Sequence, residues 1–149
     1  MARKKKPESA IALLMEDHDY VKKAFRAFEK MDEEAQPGLV KQVCEALKVH
    51  TKIEEEIFYP AVRKAIKDED LMNEAEIEHQ SAKTLIRQLE RMKPSDPKFV
   101  ATFTVLGEYV NHHVKEEEEE MFPKVRRARV NLRALGARLM GRKIRLAAR

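Results

Sequence analysis

Two stretches, HTKIEEEIFYPAVRKA at residues 50–65 and HVKEEEEEMFPKVRRA at residues 113–128, decide how this chain folds. Aligned without a gap, they match at nine of sixteen positions with an offset of 63. Each opens on a histidine with a glutamate four residues later. Residues at i and i+4 share one face of a helix, so His50/Glu54 and His113/Glu117 each project an imidazole beside a carboxylate. Two further histidines, His18 and His79, stand 61 residues apart, each directly after an acid, Asp17 and Glu78. The chain therefore reads as a duplicated helical hairpin. Each half offers one histidine from its first helix and a His-x-x-x-Glu pair from its second.

Outward from these motifs, the apolar residues recur in steps of three and four, which marks helices. A first helix runs from an N-capping Ser9 to about Met31, with Ile11, Leu14, Met15, Val21, Phe25 and Phe28 on one face and His18 among them. A second begins near Leu39, with Val40, Val43, Leu47, His50, Glu54, Ile57 and Phe58 in line. Pro60 is expected to end or kink it. A third spans about Leu71 to Met92 through Met72, Ala75, His79, Ala82, Ile86 and Leu89. A fourth starts near Lys98 and carries Phe99, Phe103, Leu106, Val110, His113, Glu117 and Met121, with Pro123 placed as Pro60 is. Pro37-Gly38 and Pro94-Ser95-Asp96-Pro97 are the breaks. A fifth, arginine-rich segment runs from about Val130 to Ala147. No strand-like alternation is present. The expectation is an all-α fold: an up-down-up-down four-helix bundle over residues 9–128 and a basic C-terminal helical tail over 129–149.

Composition agrees with this reading. The chain has 149 residues, 43% apolar and 38% charged, with four glycines. That is one domain with wet outer helix faces. Cys44 is the only cysteine, which excludes an internal disulfide and a Cys-x-x-Cys metal motif and points to a reducing compartment. The basic Met1–Lys6 leads into an amphipathic rather than an apolar stretch, so no signal peptide is expected. No apolar run approaches the roughly 20 residues of a membrane span. A cytoplasmic protein is expected. No nucleophile elbow, phosphate loop or catalytic-cysteine setting is present, so no catalytic residue is assigned among the side chains.

Four of the five histidines fall on the apolar stripes of four different helices, and two of them carry Glu at +4. Carboxylates in an apolar core repel each other and cost several kcal/mol each when unpaired, roughly. Nothing basic lies on these stripes to neutralise them, and a cation would. Imidazole suits iron, copper, zinc and nickel, while a carboxylate that can bridge suits paired iron or manganese. The metal-ligand set read from the sequence is His18, His50, Glu54, His79, His113 and Glu117.

With these residues in view, the chain resembles the hemerythrin-like (HHE cation-binding) family over about residues 9–128. The resemblance rests on Glu16-Asp17-His18, on His50 to Pro60, on Glu78-His79 and on His113 to Pro123. It implies two non-heme iron ions bridged by Glu54 and Glu117 and by a solvent-derived oxo or hydroxo group, with the four histidines as terminal ligands. It also implies that the partner is oxygen, nitric oxide or peroxide, in sensing, detoxification or storage. The oxygen-carrying members have a fifth histidine one turn before the equivalent of His79. Here that position is Ala75, and one turn the other way is Lys83. Water, Glu76 or Tyr109 is expected to fill the gap, and the more open iron favours peroxide or nitric oxide chemistry over simple oxygen carriage.

Other features have plainer expectations. His112 points away from His113 and belongs near the surface. Tyr109 is expected on the inner stripe, within hydrogen-bonding reach of a ligand. Phe58, Tyr59, Met121 and Phe122 are expected to close one end of the bundle. Glu55, Glu56, Glu118 and Glu119 read as a solvated face, and Cys44 as a buried thiol. Residues 124–149 carry ten Lys/Arg and no acid. The favoured reading is a fifth helix docked on the bundle. The alternatives are a helical interaction module that binds nucleic acid or a partner through this tail, and a carboxylate-type iron-handling or oxidase protein.

Overall fold

Ser9 starts the first helix: its side chain accepts the backbone N–H of Ala12 at 3.1 Å, which satisfies one of the four free donors at a helix start. Asp68 and Asn131 do the same for Leu71 and Ala134. The computed structural model describes residues 9–148, and the basic Met1–Lys6 stretch lies outside the described residues. Seven α-helical pieces follow in order: α1 (Ala10–Glu29), α2 (Gln36–Ile53), α3 (Tyr59–Ile66), α4 (Glu69–Arg91), α5 (Phe99–Glu116), α6 (Phe122–Arg127) and α7 (Leu132–Ala147). Two π-helical segments, Glu54–Phe58 and Glu117–Met121, join α2 to α3 and α5 to α6 without a break. The result is four long rods in an up-down-up-down bundle, with α7 added. Among the described residues there is no strand, and no helix is long and apolar enough to cross a membrane.

Neither Pro60 nor Pro123 ends its rod, and the π segments explain why. In an α-helix the proline ring meets the carbonyl four residues back. A wider turn moves that carbonyl aside. The Tyr59 N–H accordingly donates to the Glu54 carbonyl five residues back, and the Phe122 N–H to that of Glu117. The duplication therefore includes the backbone irregularity, not only the side chains.

The apolar interior falls into two clusters. One holds Leu13, Leu14, Ile53, Phe58, Met72 and Phe122, with Leu135 and Leu139 of α7. The other holds Val21, Phe28, Val43, Leu47, Ile86, Phe103 and Leu106. Cys44 belongs to the second cluster, and burial pushes its thiol up to about 11. The histidine stripe positions lie between the two.

The fifth segment is a docked helix, as expected of it. α7 runs parallel to α1, since Gly136 lies against Ser9 and Ala10 while Lys143 pairs with Asp17. A Cβ at Gly136 would come within 2.8 Å of the Ala10 nitrogen. Glycine is thus what lets the two backbones meet. Arg142 binds Glu56 at 2.8 Å, so the charges of α7 nearest the bundle are used in holding it there.

Candidate metal centre

His18 on α1, His50 on α2, His79 on α4 and His113 on α5 meet at one level of the bundle, with Glu54 and Glu117 at the starts of the two π segments. All six are buried, none more than 8% exposed. Polar groups so placed must be paired, or they cost several kcal/mol each, roughly. Donor atoms of His18, His50, Glu54 and Glu117 lie within 4.8 Å of one another, and those of Glu54, His79 and His113 form a second such group. Glu117 also reaches the second group, with Oε2 at 3.2 Å from His113 Nε2. Both carboxylates therefore stand between two pairs of imidazoles.

Each imidazole is held from behind. His50 Nδ1 donates to Asp17 at 2.9 Å, His113 Nδ1 to Glu78 at 2.6 Å, His79 Nδ1 to Glu55 at 2.8 Å and His18 Nδ1 to Glu118 at 2.7 Å. The pattern follows the duplication. The acid before each first-helix histidine holds the second-helix histidine of its own half. The acid after each glutamate holds the first-helix histidine of the other half. With Nδ1 so fixed, all four Nε2 atoms point inward, as carboxylate–histidine–metal arrangements require.

Charge follows from this packing. Burial alone would raise the Glu54 carboxyl, but the charge of His50 and the surrounding hydrogen bonds outweigh it and hold it well below the usual range. Burial would lower His113, but the charge of Glu117 and hydrogen bonds to nearby carboxylates raise it well above its usual value. The two buried acids thus draw protons onto imidazoles. A cation would take over that role and release those protons.

One observation tests whether the residues fit a cation. His18 Nε2, His50 Nε2, Glu54 Oε2 and Glu117 Oε1 are buried with no hydrogen-bond partner. Buried polar atoms are rarely left unsatisfied. Here four of them converge, and all are metal-ligating atom types. The donor set fits a borderline cation that accepts both nitrogen and oxygen.

The structure corrects several sequence expectations. Tyr109 is 51% exposed. It lies roughly 100° around the helix from the centre of the buried α5 face, so it is not in the inner stripe. Glu76 is exposed and bound to Arg63 at 2.6 Å, away from the histidines. Glu55 and Glu118 are not merely solvated, since they hold His79 and His18. Glu56 pairs with Arg142, and Lys83 pairs with Glu55 at 2.6 Å. His112, by contrast, is exposed as expected and rests against Glu116 at 2.9 Å.

Tyr59 was expected only to help close one end of the bundle, and its place against the histidines was missed. Its hydroxyl donates to Glu117 Oε2 at 2.6 Å and lies 3.1 Å from both His79 Nε2 and His113 Nε2. Burial and the charges of Glu117 and Glu54 raise it well above its usual value, so it stays a donor. Its counterpart in the other half is Phe122, stacked on His18 with ring centroids 6.1 Å apart. The signal was in the repeat: the Tyr59/Phe122 mismatch sits at the same distance after the two glutamates. An α-helical period hides it, because Tyr59 turns inward only when the π segment adds a residue to the turn.

The sequence profile of the hemerythrin HHE cation-binding domain matches residues 9–125. A crystal structure of a hemerythrin HHE cation-binding domain-containing protein from Mycobacterium kansasii superposes with a TM-score of 0.79 at 25% identity, covering 94% of this chain and 88% of that one. A protein of Nostoc sp. described as a DNA nickase is 33% identical over 85 residues, 57% of this chain. The chain spans 24% of that relative's length.

Proposed function

Because the chain belongs to the hemerythrin HHE cation-binding domain family, we propose that its histidine–glutamate layer holds two iron ions and binds oxygen, nitric oxide or peroxide. The convergence of four partnerless metal-ligating atoms with both shared carboxylates carries this reading. His18 and His50 would hold one ion and His79 and His113 the other, with Glu54 and Glu117 placed between the two pairs. When bound, the iron pair supplies the redox and Lewis-acid chemistry that no side chain of this bundle offers. Asp17, Glu78, Glu55 and Glu118 fix the imidazoles. Phe122 and Phe58 keep water from one side.

Tyr59 makes the two positions unequal. It stands where a seventh protein donor would reach the ion held by His79 and His113, and it takes the place left by Ala75, which is buried in the same cluster. A phenol in place of a fifth imidazole favours sensing or detoxification of peroxide or nitric oxide over reversible oxygen carriage. The buried lone Cys44 supports a cytoplasmic setting.

Metal analysis of the purified chain tests the proposal. The expected result is two irons per chain, lost in His50→Ala and in His113→Ala. A metal-free chain of unchanged thermal stability overturns it. In the ferric protein a visible absorption band that disappears in Tyr59→Phe, with iron content retained, is the expected sign of Tyr59 as a donor. The tail as a nucleic-acid site is disfavoured by the pairing of Arg142 and Lys143 with the bundle.

A further inference from the structure

Helix α7 starts at Leu132, beyond residue 125, where the match to the family's domain ends. It packs along α1, α2 and the first π segment. Those three elements carry His18, His50 and Glu54, which with Glu117 form one of the two donor groups. Leu135 and Leu139 anchor the helix, 4% and 0% exposed, and Gly136 lets its backbone reach that of α1. Its end at Lys143 and Leu146 borders the mouth of a cavity of about 580 Å³ that all four imidazoles line.

Two consecutive residues of this helix reach acids that adjoin the histidine layer. Lys143 donates to Asp17 Oδ1, while the other oxygen of Asp17, Oδ2, accepts from His50 Nδ1. Arg142 Nε donates to Glu56 at 2.8 Å, and Glu56 lies in the π segment that begins at Glu54. Arg142 and Lys143 thus grip both the support of His50 and the turn that carries Glu54. The other half of the duplication has neither grip. Glu78, the counterpart of Asp17, meets His113 and His112 and no lysine or arginine among the described residues. Glu119, at the position matching Glu56, is exposed and has no ion pair among the described residues.

We infer that Arg142 and Lys143 are positioning residues for one of the two metal positions, so that the C-terminal helix sets how firmly the ion at His18 and His50 is held and leaves the other ion to the bundle. This rests on the metal reading proposed above. The reason is geometric. An imidazole keeps its aim only while the partner of its Nδ1 stays in place, and Lys143 fixes that partner from outside. Glu54 moves with the backbone of its widened turn, and Arg142 ties that turn to α7. Both ion pairs are partly exposed to water, so each contributes modestly. A plug role for α7 at the cavity mouth has a different signature: opening the mouth would speed the loss of both ions alike.

The iron-loaded full-length chain, reduced to the ferrous state, is mixed with excess ferrozine, and iron release is followed by absorbance. Two release phases of equal amplitude are expected. Lys143→Met and Arg142→Gln are each expected to speed one and the same phase by about threefold to fivefold, the upper range for a partly exposed ion pair, and by about tenfold together. That phase is the one that Asp17→Asn speeds, while Glu78→Gln speeds the other. Lys143→Arg restores the wild-type rate. Arg145→Gln, at an exposed position of the same helix, changes neither phase. Circular dichroism is expected to show unchanged helix content in every variant. A single release phase, equal acceleration of both irons, or no acceleration by either substitution overturns the inference. Iron is counted in the same samples. Two irons per chain with any of those results removes the role of α7 and leaves the metal centre standing. A chain that takes up no iron removes both.

Discussion

Asp17 shows how a single carboxylate works here. It accepts from His50 and is itself gripped by Lys143, so it aims an imidazole and resists rotation. Removing such a partner ordinarily lowers metal affinity by roughly 10–100-fold. Asp17→Asn is therefore expected to weaken iron retention by about that factor in a chelator competition, and Glu78→Gln likewise through His113. Asp19→Asn, on the exposed flank of the same helix, is the control and should change nothing. The six residues of the central layer were legible in the sequence because helical spacing and duplication both mark them. The four acids behind them were not, because a glutamate on a helix surface looks the same whether it meets water or an imidazole from the next helix. Asp17-His18 and Glu78-His79 did carry a trace, as an acid repeated in step with each histidine.

At the scale of the element, the four rods and α7 could be read from periodicity, caps and breaks. The π segments could not. Their signature, a proline six residues after the glutamate in each half, reads in one dimension as a stop. In three dimensions Pro60 and Pro123 are tolerated because the turn before each is widened. That widening turns Tyr59 inward, so the unreadable backbone detail is also the one that sets the character of the site. Helix α7 offers a sharper test of element-level reasoning. Glycine inside a helix costs about 1 kcal/mol relative to alanine. At Gly141, where nothing lies within 4 Å of an added Cβ, alanine should raise stability by about that amount in urea unfolding. At Gly136 the added methyl would press on the backbone of Ser9 and Ala10. There the sign reverses: Gly136→Ala should lower the midpoint, with the loss traced to undocking of α7 from α1.

For the molecule as a whole, the charge asymmetry visible in the sequence resolves into architecture. The glutamate-rich run supplies Glu117 to the centre and Glu118 to His18, and the basic tail supplies Arg142 and Lys143 to Glu56 and Asp17. Each tract thus gives its bundle-facing charges to the fold, and among the described residues of the basic tail Lys124, Arg142 and Lys143 are the ones paired with acids.

The two apolar clusters, parted by a polar layer, have a consequence for how the protein comes apart. Each cluster is a unit with its own neighbours, and only one of them includes α7. Across the layer, apolar contact is replaced by imidazole, carboxylate and cavity. A bound cation pair would rivet α1, α2, α4 and α5 together at that level. Amide hydrogen exchange should therefore report two separately opening blocks in the chelated protein and one block, opening at higher free energy, in the loaded protein. A single cooperative opening in both states would mean that helix length alone carries mechanical continuity past the metal layer. If the blocks do separate, the metal is the keystone of the fold as well as its chemistry, and iron supply would set how long the folded chain survives proteolysis.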